Sequence, residues 1–379
     1  MKNLRKRIAG YLLTFTLILA GAVFLGNEKA VFASGGSMEV HFLDVGQGLS
    51  ILVQSEGQTL LYDGGPRGAS SYVVSYLQEQ NVSEIAYLIS SHYDEDHVSG
   101  LIGCLSAFQV DNVIGADYVH DSSLYNSFVD GVEAQGLEVQ HPAVGTEYEF
   151  GSGEFTVLSP KEISRESNAN SVAIKLTNGD NSFIFTGDAD YNSESDMVAS
   201  GLDLDCDVLS LGHHGSASST SWDLLEASTP SWAVISCGQD NSYGHPAAST
   251  MEKLRDMNIP VYRTDDQGTI IALSDGDTIS WNQEPCNDYT AGDAKQQSAN
   301  SDTSQAAQYS SEDTASAPAV ETETPDTSSD TQGRTVWISA TGSKYHSRPD
   351  CGNMNPNKAT QETEAQALSQ GYEACKKCW

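Results

Sequence analysis

The sequence predicts an α/β domain, on three observations. Strand-length apolar runs alternate with helix-like stretches, several of those runs stop at loops of His, Asp and Gly, and a break in composition near Pro285 ends the pattern. Glu39 to Leu43, Ser50 to Gln54 and Thr59 to Tyr62 read as short strands separated by turn residues. Tyr72 to Leu77 lies in a helical stretch. Ala86 to Ser90 is an apolar strand that runs into the polar cluster Ser91 to His97, and Gly100 to Phe108 resumes a helical pattern. Ser182 to Phe185 runs into Thr186-Gly187-Asp188, and Val208 to Leu211 into Gly212-His213-His214-Gly215. Trp232 to Ser236 is a further strand and Met251 to Met257 a helix. Val261 to Arg263 and Ile270 to Leu273 close the domain. In sheets covered by helices, sites collect where strands end, so these loops are the place to look for chemistry.

The flanks differ in kind. Lys2, Arg5, Lys6 and Arg7 precede the apolar run Tyr11 to Leu25, and Val31-Phe32-Ala33 supplies small residues at the first and third positions. Residues 1–33 therefore read as a signal peptide, with an uncleaved anchor as the alternative, and the rest as secreted or held at the cell surface. No other segment is apolar enough to span a membrane. The large domain covers residues 37–283. Residues 284–333 are Ser, Thr, Ala, Asp, Gln and Glu with almost no large apolar side chain, and read as a disordered linker. Residues 334–379 form a small tail domain. The chain carries 52 acidic and 19 basic residues, a net charge of -33. Such a balance repels polyanions at long range and counts against a nucleic-acid substrate unless metal ions or a local patch override it.

Imidazole and carboxylate are ligands that zinc and manganese accept. His92, Asp94, Asp96 and His97 sit close enough in sequence to aim two ligands at one ion and two at another. Asp188 ends a strand and could bridge two ions, although a Gly-Asp turn alone is commonplace. Of the adjacent His213 and His214, one can bind metal while the other contacts substrate. Asp63, just after a strand and before two glycines, reads as a carboxylate that orients a ligand rather than binding metal itself. His245 follows as a loop histidine.

Taken in order, Asp63-Gly64-Gly65, the His92 to His97 cluster, Thr186-Gly187-Asp188 and His213-His214-Gly215-Ser216 resemble the metallo-β-lactamase superfamily. Within it they are most similar to the hydrolase domain of ComEC-type competence proteins, which act in DNA internalisation. Leu43-Asp44-Val45-Gly46-Gln47-Gly48, Asn170-Ser171, Tyr243-Gly244-His245-Pro246 and Tyr262 to Asp265 with Gly268 fit the same subgroup. The resemblance spans roughly Met38 to Trp281. It implies an αββα sandwich and two divalent ions, zinc or manganese. His92 and Asp94 would bind the first ion. Asp96, His97 and either His213 or His214 would bind the second, with Asp188 between them. Asp96 would orient or deprotonate the attacking water, and His245 would steady the phosphate or protonate the leaving group. Asp94 stands where the common motif has a second histidine, which favours a harder ion such as manganese. Many members supply another histidine before the bridging Asp. Here only His120 and His141 fall in that interval, neither in a recognisable motif, with Asn168 and Asn170 just before the next strand. The resemblance extends to no transmembrane channel.

In the tail, Cys375 and Cys378 have the spacing of a two-thiolate grip, and His346 and Cys351 complete a tetrahedral structural zinc set. A disulfide is the alternative, but three cysteines leave one unpaired. The remaining cysteines, Cys104, Cys206, Cys237 and Cys286, are scattered and declare no framework. Lys344, Arg348, Lys376, Lys377 and the tail aromatics suggest contact with a polyanion or the cell wall. The leading expectation is thus a secreted phosphodiesterase or nuclease acting on extracellular DNA, with Arg67, Lys161 and Arg165 as loop cations. The alternatives are a hydrolase of a cell-wall phosphoester, lactone or β-lactam, and a non-catalytic surface binding protein.

Overall fold

The computed structural model describes residues 36–292 and, further on, residues 335–338, 344–346, 360–363 and 373–375. The expected signal peptide, most of the expected linker, Cys351 and Cys378 lie outside the described residues. The chain divides into two compact units, Met1–Ser310 and Ser311–Trp379.

In the first unit the strands form two sheets. One holds β1 (Met38–Phe42), β2 (Ile51–Ser55), β3 (Gln58–Tyr62), β4 (Glu84–Ile89), β5 (Gln109–Ile114), β6 (Val139–Gln140), β14 (Ile270–Ser274) and β15 (Ile279–Trp281), in the order β15-β14-β1-β2-β3-β4-β5-β6. The other holds β7 (Glu147–Phe150), β8 (Gly153–Val157), β9 (Ile174–Asn178), β10 (Asn181–Phe185), β11 (Val208–Ser210), β12 (Trp232–Ile235) and β13 (Val261–Arg263), in the order β13-β12-β11-β10-β9-β8-β7.

Side chains alternate across each strand, and here both faces are covered. Val40, Phe42, Val53, Leu60 and Tyr62 point between the sheets, where they meet Phe155, Val157, Ile174, Leu176, Phe183 and Phe185. Their strand neighbours Leu52, Leu61 and Leu88 turn the other way. They pack on Val73 and Leu77 of α1 (Ser70–Glu79), Val98 and Leu101 of α2 (Glu95–Ala107), and Phe128 of α3 (Ser123–Ala134). Across the sandwich, Ile184, Leu209 and Ala233 pack on Met197 of α4 (Tyr191–Ala199), Leu224 of α5 (Trp222–Ser228) and Leu254 of α6 (Ala248–Asp256). The result is four layers, αββα. Double coverage is also why β4 and β10 read as unbroken apolar runs rather than alternating ones.

The two halves share one feature that positions the site. β3, β4, β5 and β6 run parallel, with Tyr62 beside Ile89, and so do β10, β11, β12 and β13, with Phe185 beside Ser210. Each half therefore delivers its loops at the carboxyl ends of adjacent strands. The domain also continues past the expected boundary at Gln283. Asn287 Oδ1 accepts from the Val261 amide, Arg263 Nη1 donates to the Thr290 carbonyl at 2.6 Å, and the Gly292 amide donates to the Pro246 carbonyl at 2.9 Å. These contacts use backbone groups and polar side chains, so a search for apolar residues does not reveal them.

The second unit contributes β16 (Thr335–Ile338), β17 (Lys344–His346), β18 (Thr360–Thr363) and β19 (Glu373–Ala374), in the order β18-β16-β17-β19. β16 and β17 pair antiparallel, as a hairpin would, and β17 and β19 pair parallel with Tyr345 beside Ala374.

Phe185 tests the inter-sheet core. It is fully buried and edge-on to Phe42 at 6.1 Å and to Tyr62 at 5.5 Å. Phe185→Ala should lower the unfolding free energy by about 3–5 kcal/mol in urea titrations. A loss below about 1 kcal/mol would mean that the site collapses freely and that this face is not close-packed.

Candidate metal centre

The centre is assembled from strand ends. Asp63 directly follows β3, Ser90 to Asp94 follow β4, Thr186-Gly187-Asp188 follow β10, and the His213-His214 turn follows β11. One expectation changes here. Asp96 and His97 do not lie in a loop but in the first turn of α2, with Asp94 at its N-cap. Carboxylates in a first turn complement the helix dipole, and that polar turn hides the helix start from a search for apolar periodicity. Gly64 and Gly100 let this turn touch the β3 loop. A Cβ on Gly100 would stand 1.8 Å from the Gly64 carbonyl oxygen, and one on Gly64 would stand 2.3 Å from the Leu101 amide nitrogen. The Gly64 amide donates to the His97 carbonyl at 2.7 Å across that contact.

The hydrogen bonds fix how three imidazoles face. Asp63 is fully buried. Its carboxylate accepts from the Ser91 amide, the Ser91 hydroxyl and His97 Nδ1 at 2.7, 2.7 and 2.8 Å. A carboxylate only accepts, so His97 carries its proton on Nδ1. The Ser91 hydroxyl proton is committed to Asp63, so Ser91 Oγ accepts from His92 Nδ1 at 3.0 Å. His214 Nδ1 donates to the Ser236 carbonyl at 2.9 Å. In each ring the Nε2 lone pair is left to face inward.

Those lone pairs converge on Asp188. Oδ1 lies 3.2 Å from His97 Nε2 and 3.7 Å from His214 Nε2, which is itself 3.3 Å from Asp96 Oδ2. Oδ2 lies 3.9 Å from His92 Nε2 and 3.6 Å from His213 Nε2, and His92 Nε2 is 3.7 Å from Asp94 Oδ2. The Nε2 atoms of His92, His97 and His214 and Oδ1 of Asp188 are buried and have no hydrogen-bond partner among the described residues. Each such orphan costs about 1–3 kcal/mol, and a cation satisfies all of them. The spacing also fits, since ligands on a tetrahedral ion with bonds of about 2.1 Å stand roughly 3.4 Å apart. Two groups could each hold an ion: His92, His97 and Asp188, and Asp96, His97 and His214. His97 belongs to both, and Asp188 Oδ1, 3.2 Å from its Nε2, also lies 3.7 Å from His214 Nε2. His213 and His214 both adopt left-handed backbone, with φ of 51° and 56°. Strain of this kind gathers at functional sites.

Charge follows from this geometry. Burial pushes Asp188 up, but His97 and His214 outweigh it and hold the carboxyl well below its ordinary range. Asp96 is likewise lowered, burial being overcome by His214 and His97. Burial lowers His97, yet Asp188 and Asp63 raise it well above the ordinary imidazole value. Protons and divalent ions therefore compete for the same nitrogens.

The candidate ligands of the large domain are brought together here, and others join them. His245 accepts at Nδ1 from Gln47 Nε2 at 3.4 Å, while Gln47 Oε1 accepts from the Gly238 amide at 3.1 Å. The amide orientation thus places the His245 proton on Nε2. Burial, then His214 and His213, bring its pKa down to about 4. His120 was without a motif, yet its Nε2 is 3.3 Å from Asp94 Oδ1, which also accepts from Ser167 Oγ at 2.6 Å. The signal that could have found His120 is topological: it lies in the loop after β5, beside β4. His141 instead pairs loosely with Asp117 at 3.8 Å. Asn168 lies 3.3 Å from the His213 ring, whereas Asn170 Oδ1 accepts from the Ser164 amide.

Residues 43–238 match the family model of the metallo-beta-lactamase superfamily. Curated relatives include Recombination protein 2 of Haemophilus influenzae, 33% identical over 238 residues, covering 61% of this chain and 28% of the relative. ComE operon protein 3 of Bacillus subtilis is 27% identical over 251 residues, covering 61% and 32%. Competence protein ComA of Neisseria gonorrhoeae is 31% identical over 259 residues, covering 67% and 34%. The chain thus spans about a third or less of the length of these relatives. Among solved structures it is similar to a Cronobacter sakazakii metallo-beta-lactamase with an HARLDQ motif, at 12% identity and TM-score 0.34, covering 45% of this chain and 73% of that one.

Asp63→Asn tests the orientation argument. Asn tolerates left-handed backbone, which Asp63 adopts, and its amide can accept from Ser91 while offering N–H to His97. That would shift the His97 proton to Nε2 and remove a lone pair from the centre. Mn²⁺ or Zn²⁺ affinity by calorimetry should fall about 10- to 100-fold with circular dichroism unchanged. Equal affinity would remove the argument.

Proposed function

Because the chain belongs to the metallo-β-lactamase superfamily, we propose that its αββα domain is an exported phosphodiesterase that cleaves nucleic acid with two divalent ions. The observation that carries this reading is the buried, unpartnered set of three imidazole nitrogens around Asp188. The residues fit two cations, with Asp188 as a ligand that both would share. His92, Asp94 and His213 would hold the first. Asp96, His97 and His214 would hold the second. Zinc and manganese both accept these donors. Such ions supply Lewis acidity at phosphorus and a nucleophilic water at neutral pH.

The chain's own residues do the rest. Asp63 and Ser91 hold His97 and His92 in the ligating tautomer. Asp96, 30% exposed at its side chain, would orient the attacking water or take its proton. His245, neutral with its proton on Nε2, donates a hydrogen bond to a phosphoryl or leaving oxygen rather than acting as a cation. His120 and Ser167 steady Asp94 from the side facing solvent. The names of the relatives, competence and recombination, speak for DNA as substrate. Export rests on the sequence of residues 1–33. Among the described residues no helix is long and apolar enough to cross a membrane.

The tail is proposed to hold one structural zinc on His346, Cys351, Cys375 and Cys378, as a staple for a domain too small for a sizeable core. Pairing of Tyr345 with Ala374 supports it, because the next residues, His346 and Cys375, then stand at adjoining strand ends.

Two measurements test these readings. The purified chain should hold two divalent ions beside the tail zinc by metal analysis, and His92→Ala with Asp94→Ala should strip the domain ions while the zinc remains. Retention of all ions in that variant would refute the assignment. With added manganese or zinc the chain should hydrolyse bis(p-nitrophenyl) phosphate, and Asp188→Ala should fall to the uncatalysed rate while staying folded. Undiminished turnover in Asp188→Ala, or turnover of lactones or β-lactams alone, would refute the phosphodiesterase.

A further inference from the structure

Seven large apolar side chains are exposed among the described residues, and one of them abuts the centre. Tyr243 is 70% exposed. Its ring stacks on His245 at 5.7 Å and 22°, and the His245 ring stands 5.4 Å from His213. An aromatic ladder thus runs from the residues around Asp188 out to solvent. The loop that carries it is braced from within. Asn241 is buried, and its Oδ1 accepts from the amides of Tyr243 and His245 at 3.2 and 3.0 Å. Its Nδ2 donates to the carbonyls of Gly238 and His245 at 2.9 and 2.6 Å. The Ala247 amide donates to the Gly215 carbonyl and the Gly292 amide to the Pro246 carbonyl. The exposure of Tyr243 is therefore a property of a fixed loop. A ring whose only task were to wedge His245 in place would itself be largely covered, since His245 is 9% exposed.

Electrostatics narrows what such a ring could meet. The chain's charge of -33 opposes a polyanion. Three of the domain's cations pair with carboxylates, Lys161 with Asp196 at 3.1 Å, Lys175 with Asp203 at 2.7 Å and Arg263 with Asp265 at 2.8 Å, which leaves Arg67 and Arg165 as exposed loop cations. With so few cations against a charge of -33, binding energy beyond the ions is best drawn from an uncharged part of the substrate. A second apolar side chain, Val119, is 81% exposed beside His120, whose ring reaches Asp94.

We propose that Tyr243 is the stacking platform for an unpaired nucleobase next to the phosphate held at the centre. This rests on the phosphodiesterase reading and deepens it, because it selects a substrate with flat, unpaired bases over sugar–phosphate or polyol phosphodiesters. Every base offers a π-face, so the platform is indifferent to sequence, and loss of one base stack costs about 5- to 100-fold in affinity. Salt should weaken this binding only slightly, since few counterions are released.

The test uses the full metal-loaded chain and a short single-stranded phosphorothioate oligonucleotide with fluorescent label, beside its abasic counterpart. In wild type the base-bearing strand should bind about 5- to 100-fold tighter by anisotropy. That gap should close in Tyr243→Ala and persist in Tyr243→Phe and Tyr243→Trp. On cleavable strands the change should fall on KM, whereas a ring that merely supports His245 would lower kcat on every phosphodiester. Equal binding of the two strands by wild type, a gap that survives in Tyr243→Ala, or a purely kcat effect overturns the platform. If small phosphodiesters are still hydrolysed in those cases, the phosphodiesterase reading stands without it. If no phosphodiester is hydrolysed, both fall.

Discussion

Three buried imidazoles can turn bare nitrogens toward one point only if their other nitrogens hold the protons, and most of this centre is arranged around that constraint. The acceptors are Asp63 for His97, the Ser91 hydroxyl for His92 and the Ser236 carbonyl for His214. Asp63 controls two of the three, because it also takes the Ser91 hydroxyl proton. It can do so because it sits at the end of β3 beside the end of β4, where parallel register puts Tyr62 next to Ile89. Gly64 and Gly100 then let α2 close onto the same loop. A buried carboxylate of this kind is costly unless fully hydrogen-bonded, and Asp63 accepts three bonds within 2.8 Å.

The same constraint explains the charge of the site. Asp63, Asp94, Asp96 and Asp188 stand close together, and the side chains found beside them are histidines rather than lysine or arginine. Carboxylates packed without fixed cations repel one another, and protons on His97 and His214 offset this only in part. Two divalent cations would cancel four negative charges while taking up the unpartnered nitrogens. Burial and charge thus favour the same occupant, an agreement that a structural histidine cluster would not need.

Much of this was legible in sequence because the ligands follow strands directly. His92, Asp188, His213 and His214 each stand within a few residues of an apolar run, so reading the runs located the site. Asp63, Asp94, Asp96 and His97 came with them, and the family resemblance supplied the four-layer arrangement that both sheets and their helices adopt. What escaped had a physical cause. The start of α2 carries Asp96 and His97 in a polar first turn. β5 itself carries Gln109, Asp111 and Asn112, which break its apolar run, and without β5 there was no reason to place His120 beside Asp94. Ser91, Ser167 and Gln47 act through side-chain hydrogen bonds, for which no periodicity exists. The segment 284–292 is held by Arg263 and by backbone groups, which polar composition conceals.

The acidic balance, which weighed against a nucleic-acid substrate, takes on a different meaning once the centre is considered. A basic groove reads a polyanion along its length and binds it wherever it lies. An acidic surface with one locally neutralised point admits a single phosphate and repels its neighbours. On the proposed reading, affinity is then concentrated at the ions and at whatever uncharged surface adjoins them. One uncharged surface that adjoins them is the His245–Tyr243 stack, whose outer ring stands mostly in water. Such a site would favour ends, gaps and unpaired stretches over duplex, because only there can a base leave its neighbours and meet a ring without unstacking a partner. The selectivity would come from the repulsion as much as from the stack, since the repulsion removes the alternative modes of binding.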